Sequence, residues 1–430
     1  MRQSHDIVIA GGGMVGVSLA LQLAASLPAA TRILLLERFQ LPAPGEEGSA
    51  DYHPSFDARS TALSYSSRLI YEAMDVWSDL QQWLCPIERI HVSSRGHFGS
   101  TILAATDYDW PALGYVVENA WLGRALLSAL HRQGRVEVRS PARVVALAPH
   151  DGGTRLQVED GASVAAIDAG LLLVADGADS GLCEQLGVSI SRKPYAQHAL
   201  IANIASNEPH RGCAYERFTD EGPLALLPLP GTTDAAHRSA LVWTLPESRA
   251  EQLKGCTEEA FLRELQQRFG YRLGRLRQVG ERHSYPLQLV QATEQVRRGV
   301  VVVGNAAHAL HPVAGQGFNL ALRDVAQLCR AIADGVAAGR APGDLGQLEH
   351  FRRAQQQDQE RTIGFSDRVP ALFMQSDPLL GIGRDLALCG MDLLPALKRE
   401  FVRHAAGVAA LGEHVAPVHK GDRGRGQANG

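Results

Sequence analysis

Cysteine is scarce and scattered in this sequence. The six cysteines, at positions 85, 183, 213, 256, 329 and 389 of 430, form no CxxC pair. That spacing speaks against a disulfide framework, a zinc module and a redox dithiol. No apolar run reaches the roughly 18 residues that a membrane-crossing helix needs. Neither sign of charge dominates: 42 Lys and Arg stand against 46 Asp and Glu, a net charge of −4. Such a balance supplies no pull toward nucleic acid. The polar start, Met1 to Asp6, runs directly into a strand-like stretch, so no signal peptide is expected. Metal-ligand spacing is also missing. His308 and His311 are three apart, but no third ligand has matching spacing. These gaps point to a chain of the reducing cytoplasm without a metal, with peripheral contact at the inner membrane left open.

What is present is an ordinary globular composition, 45% hydrophobic and 20% charged. The length suggests two or three domains or one large composite. Asp6 to Gly13 is an apolar run ending in glycines, Val15 to Ala25 has a helical pattern, and Arg32 to Arg38 reads as a buried strand ending in an acid. Fully apolar strands of this length suit a parallel sheet covered on both faces. From about Gly187 to Gly280 the pattern becomes alternating, as in His198 to Ala205 and Ala240 to Leu245, which predicts an antiparallel sheet. Near Gly299 a buried strand returns, followed by a helix over Asn319 to Val336 and a largely helical stretch to about Gly412. The last residues, 413–430, read as a disordered tail.

Gly11, Gly13 and Gly16 fit GxGxxG directly after a strand and at the start of a helix. Gly11 permits the tight turn, Gly13 lets backbone approach a pyrophosphate, and Gly16 lets the helix pack on the strand. The helix start offers free N–H groups and the positive end of its dipole to phosphate. Glu37 ends the next strand about 20 residues on, where a carboxylate can accept from both ribose hydroxyls. With strand, helix, second strand and terminal acid in place, a dinucleotide site is indicated. The fingerprint alone leaves NAD and FAD both open. A second GxGxxG is lacking, which speaks against a two-nucleotide flavin reductase.

Two further stretches carry a resemblance. Val174 to Ser180 is similar to the ADGxxS motif of the class A FAD-dependent aromatic hydroxylases. Gly304 to His308, continuing through Pro312 to the stretch Gly315–Asp324, resembles the same group's GDAAH…P…G-G-N turn. The segment Pro54 to Ser64, which contains Arg59, and the stretch Ala214 to Leu229 resemble one branch, the ring hydroxylases of ubiquinone biosynthesis. The resemblance implies an α/β, p-hydroxybenzoate-hydroxylase-like fold. A Rossmann-type FAD domain (residues 1–75, 105–186 and 280–345) would be interleaved with an antiparallel-sheet substrate domain (76–104 and 187–279). A C-terminal helical region (346–412) would follow.

The resemblance also implies roles. Gly11, Gly13, Met14, Val15 and Gly16 would hold the FAD pyrophosphate, with Glu37 and Arg38 at the adenosine ribose. Asp176 and Gly177 would serve FAD and NAD(P)H. Gly304 and Asn305 would meet the ribityl chain. Pro312, Gly315, Gly317 and Asn319 would set a helix start beside the flavin ring, and Arg59 and Arg124 complete the cofactor set. Two residues depart from the pattern. Asn305 replaces the usual Asp and so loses its charge, and Cys183 replaces an Arg of the extended ADGxxS motif, which bears on NAD(P)H handling.

The implied chemistry is hydroxylation of a prenylated (methoxy)phenol by O₂ through a flavin C4a-hydroperoxide, with NADPH or NADH as reductant. The hard step belongs to the cofactor, while the protein must exclude water and assist loss of the phenol proton. No general base stands out among His198, Tyr215 and His283. Leu226, Leu227 and Leu229 could line a prenyl pocket, though core packing is their ordinary use. The Leu- and Met-rich segment Pro370 to Leu397 could bind a membrane surface or proteins of a ubiquinone-biosynthesis complex, though a buried helical cap is its plainer reading. A hydroxylase of a small soluble aromatic and a non-catalytic flavin-binding partner in an assembly are the alternatives.

Overall fold

The computed structural model describes residues 3–43, 45, 59–96, 99–161, 163–311, 315–374, 399–400, 402–403 and 406–408. Its centre is a parallel sheet in the order Val300–Val302, Ser163–Val174, Gln3–Ala10, Ile33–Leu36, Val136–Arg139. These strands are apolar at successive residues because both faces are buried. Ile7, Ile9, Ile33, Leu35, Leu171 and Leu173 point into a core shared with the helices Met14–Ser26, Asn119–Gln133 and Gln316–Ala337. Their neighbours Val8, Ala10, Leu34, Leu36, Leu172 and Val174 point into a second core. That core is closed by the antiparallel strands Arg143–His150 and Gly153–Asp160, which extend the sheet beyond Ser163–Val174.

The second layer is a nine-stranded, mostly antiparallel sheet. Its longest strand, Ile190–Ser206, pairs with Arg238–Pro246 on one side and His283–Ala292 on the other. The alternation of this sheet divides its two faces. Leu224, Leu226, Leu241 and Trp243 pack under the helix Glu258–Phe269. Ala225, Leu227 and Val242 face the opposite way, toward a cavity. The stretch 76–104 contributes Arg89–Ser94 and Ser100–Ala104 to this sheet. His283–Ala292 also lies in it, so the antiparallel layer extends past residue 279. A three-stranded sheet, Ser60–Ser64, Gly114–Glu118 and Cys85–Ile87, joins the two layers. The fold is therefore α/β with the two sheets interleaved in sequence.

The helix Gln316–Ala337 begins three residues earlier than its apolar pattern predicts, because Gly315 caps it at φ +60°. Leu345–Met374 forms the long helix after it. No helix among the described residues is long and apolar enough to cross a membrane. Most of the segment Pro370 to Leu397 and the tail 413–430 lie outside the described residues.

Candidate functional site: a dinucleotide cradle beside an apolar cavity

The hairpin after Gln3–Ala10 turns at Gly11, whose φ is +115°. A Cβ on Gly11 would sit 2.4 Å from the Ala175 carbonyl oxygen, and one on Gly16 would sit 1.9 Å from the Gly11 carbonyl oxygen. Close backbone approach therefore requires glycine at both positions. Gly13 borders open space instead. The helix that starts there has neither a side-chain cap nor an acid in its first turn. Its terminal N–H groups can receive an anion.

Glu37 is drawn against this hairpin. The Gly12 N–H donates to Glu37 Oε2 at 2.6 Å and the Phe39 N–H donates to Oε1 at 2.9 Å. Each oxygen retains acceptor capacity. Gly11, Gly13, Glu37, Arg38, Asp176 and Gly177 line one cavity of about 660 Å³. Arg38 lies over the Phe39 ring at 4.6 Å. Burial raises the Asp176 carboxyl, and its Oδ1 is buried with no hydrogen-bond partner. An orphaned acceptor and free helix N–H groups around one cleft fit a polar, anionic ligand. Substituting Glu37→Arg should weaken FAD retention by about tenfold or more, since a donor-only cation replaces an acceptor. Flavin absorbance per chain after gel filtration reads the effect.

A second cavity, about 350 Å³ and largely apolar, lies between the antiparallel sheet and the start of Gln316–Ala337. Gly315, Gly317 and Asn319 border it. Asn319 is fully engaged there. Its Nδ2 donates to the carbonyls of Gly315 (2.7 Å) and Ala62 (2.9 Å), and its Oδ1 accepts from the Ser64 N–H (2.8 Å) and the Ser67 hydroxyl (2.7 Å). The side chain thus clamps the helix start to Ser60–Ser64. Asn319→Ala strips partners from a buried N–H and nearby carbonyls. It should cost roughly 2 kcal/mol or more, read as a lowered urea midpoint.

The two glycine segments open on different cavities, and the turn at Gly304 lies between them. Gly304 has φ +62°, and a Cβ on it would press on Val15 at 3.1 Å. The chain then runs from this turn to Leu310 and His311, which border the apolar cavity. Asn305 is exposed in the turn. Met14 and Val15 are partly buried against the core at the first helix start. Arg59 lines a smaller cavity of about 250 Å³ that shares Ser60, Ile201, Leu227 and Val242 with the apolar one, and it donates to the Tyr285 hydroxyl at 3.2 Å. Arg124 is half-buried in Asn119–Gln133. Pro312 lies outside the described residues.

The remaining candidates are placed individually. His308 Nε2 meets Asp324 Oδ2 at 2.6 Å, both groups buried, and Asp324 Oδ1 accepts from Gln355 and Gln359. Among the described residues no cluster of three or more His, Cys, Asp or Glu is gathered. His198 is engaged with Ser284, and His283 lies beside Glu281; neither borders the apolar cavity. Tyr215 packs edge-on to Phe269, and burial pushes its hydroxyl up to about 12. Of the three leucines, Leu227 faces the cavity while Leu226 and Leu229 are fully buried in core clusters. Cys183 lies within the short helix Gly181–Gln185 and is buried in the second core. One cavity residue escaped the reading of the sequence: Glu216, which follows Tyr215. The signal was available, because in Cys213–Phe218 an acid shares its face with Ala214 and Phe218.

Residues 101–361 match the family model described as FAD binding domain. The ubiquinone hydroxylase UbiL of Rhodospirillum rubrum is 33% identical over 97% of this chain and 92% of its own length. A 3-demethoxyubiquinol 3-hydroxylase of Escherichia coli is 31% identical over 94% of this chain and 99% of its own. Among solved structures, p-nitrophenol 4-monooxygenase PnpA of Pseudomonas putida superposes with a TM-score of 0.72 at 16% identity, covering 94% of this chain and 98% of its own. PqsL of P. aeruginosa in complex with 2-aminobenzoylacetate also gives 0.72, at 18% identity over 89% of this chain and 99% of its own. At such identity these two likenesses establish the fold. Fold, cradle and relatives together define an FAD-dependent monooxygenase. Within that class, the chain belongs to the family of ubiquinone hydroxylases.

Proposed function

We propose that this chain hydroxylates the ring of a prenylated phenol in ubiquinone biosynthesis, with O₂ as oxidant and NADPH or NADH as the source of electrons. FAD supplies oxygen activation when bound. The observation that carries the reading is an anion-ready glycine cradle and an apolar cavity linked along the chain by the Gly304 turn, which abuts Val15 at the cradle's helix start and runs on to Leu310 and His311 at the cavity. In this reading Gly11, Gly13, Gly16 and the N–H groups at Met14 and Val15 hold the pyrophosphate. Glu37 accepts from the ribose, with Arg38, Asp176 and Gly177 around the adenosine end. Gly304 and Asn305 flank the middle of the cofactor. The unacidified start of Gln316–Ala337, set by Gly315, Gly317 and Asn319, faces the ring. A helix N-terminus there stabilises developing negative charge.

The apolar wall of Ala225, Leu227 and Val242 excludes water and accepts a hydrocarbon tail. Arg59 borders the adjoining cavity, where the tail or ring substituents continue. A lipid-tailed substrate is delivered from a membrane surface or a carrier, so contact with the inner membrane or with other proteins of the pathway accompanies this reading. The likeness of the Arg59 segment points within the family to 2-octaprenyl-6-methoxyphenol hydroxylase. Purified holoprotein should oxidise NAD(P)H faster with a prenylated methoxyphenol and form a product one oxygen heavier by mass spectrometry. Flavin that is never reduced by any donor, or failure to restore quinone synthesis in a hydroxylase-deficient strain, would sink it.

A further inference from the structure

Within the apolar cavity one side chain is out of keeping with its surroundings. Glu216 lies mid-strand in Cys213–Phe218, opposite Ala225 on one neighbouring strand and Val92 on the other. It borders the cavity together with Ala214, Ala225 and Leu227. Its carboxyl has no hydrogen bond or ion pair with any described residue. It is intermediate in exposure and lines the cavity. Removal from water, with nothing to offset it, pushes this carboxyl up to about 7. Burying an unpaired carboxyl costs stability, and strained groups of this kind concentrate where chemistry is done.

The other titratable groups at the cavity cannot take its place. Tyr215 is pushed up to about 12 and His311 is lowered to about 4, both chiefly by burial. Neither changes charge near neutrality. The neighbouring strands present Val92 and Ala225, and the helix start presents Gln316 and Phe318. Arg59 belongs to the adjoining cavity. Among the described residues, Glu216 is the acid or base at this cavity that titrates near neutral pH.

We propose that Glu216 accepts the proton of the substrate phenol and is a catalytic residue of the hydroxylation. This rests on the reading that the ring substrate is a phenol. The phenol O–H bond breaks and an Oε–H bond forms on Glu216. The freed electron pair stays on the phenol oxygen, where conjugation raises electron density at the ortho and para carbons. The net charge of the cavity is unchanged by the transfer, since one buried anion replaces another.

The test uses FAD-loaded wild type with the Glu216→Gln and Glu216→Leu variants. Glutamine is nearly isosteric with the protonated acid, so that variant keeps the packing. Flavin absorbance changes on titration with a prenylated methoxyphenol and with its methyl ether report binding without turnover. The wild type should prefer the phenol by roughly tenfold or more, as a hydrogen bond to a charged acceptor predicts. That preference should collapse in Glu216→Leu and shrink in Glu216→Gln. Turnover should fall about 10²-fold or more in both. The limb of kcat/KM that rises through about pH 7 should vanish in Glu216→Gln. Variants that keep the phenol preference, the limb and the turnover overturn the assignment of Glu216 alone. A wild type that neither binds nor turns over the phenol overturns the functional reading together with it.

Discussion

Replacing Gly16 with alanine is expected to yield a protein that purifies largely without flavin. The added methyl would sit 1.9 Å from the Gly11 carbonyl oxygen. That is backbone, held in place by the Gly11 N–H, which donates to the Leu36 carbonyl at 2.8 Å. No side chain can swing away to make room. The helix Met14–Ser26 must move off the strand, and forced overpacking of this kind typically costs 1–3 kcal/mol. The displacement falls on the cradle itself, because the free N–H groups at the helix start and the Gly12 N–H that holds Glu37 move together. FAD affinity should drop by about tenfold or more. Thermal midpoints measured with and without added FAD would separate the two effects: the variant should lose the cofactor-dependent rise. A variant with wild-type flavin content would contradict the close-packing argument.

Breaking the ion pair Glu118–Arg238 should be the most damaging single change to stability. Arg238 is fully buried and Glu118 nearly so, with Arg238 Nη2 donating to Glu118 Oε1 at 2.9 Å and Nε donating to the Pro230 carbonyl at 2.9 Å. Glu118 ends a strand of the three-stranded sheet, and Arg238 begins a strand of the antiparallel layer. The pair therefore ties the three-stranded sheet to the antiparallel layer. Arg238→Leu leaves a carboxylate in the interior without its counter-charge, a loss of about 3–5 kcal/mol. The double variant Glu118→Leu with Arg238→Leu removes both charges and should be less destabilised than either single change. Urea midpoints of the four proteins test this. A double variant worse than both singles would show that the pair contributes more than charge compensation.

The parts of this fold legible in the sequence are those whose partners lie close along the chain. Gly11, Gly16 and Glu37 form one strand–turn–helix–strand unit, and local spacing alone placed them. The structure brings Gly11 and Glu37 to one cleft, with Gly16 packed against the Gly11 carbonyl behind it. Gly304 was legible through its motif, but its contact with Val15 joins segments far apart along the chain. Membership of His283–Ala292 in the antiparallel layer was not legible. A strand with mixed exposure does not name its partner, and Ile190–Ser206 lies far upstream. The clamp made by Asn319 was hidden for the same reason: apart from the Gly315 carbonyl, its partners come from residues 62 to 67. The three leucines 226, 227 and 229 looked alike, and strand alternation with the covering helix sorted one of them to the cavity. Glu216 shows the limit most clearly. Its residue type suggested the surface; the face it shares with Ala214 and Phe218 hinted otherwise, and the pairing of its strand with those carrying Ala225 and Val92 sets it at the cavity.

The interleaving of the two sheets sets an order of events as the chain is made. Ser163–Val174 leaves the ribosome with one of its parallel neighbours, Gln3–Ala10, already synthesised, but its other, Val300–Val302, arrives only after the entire antiparallel excursion. Until then the end of that edge, Leu172 to Val174, is unsealed and prone to pair wrongly, the rest being covered by Gly153–Asp160. The Gly304 turn that abuts Val15 comes later still. Flavin loading therefore waits until synthesis has passed the Gly304 turn, and a ribosome stalled before residue 300 releases a fragment with the glycine fingerprint intact and no place to keep the cofactor.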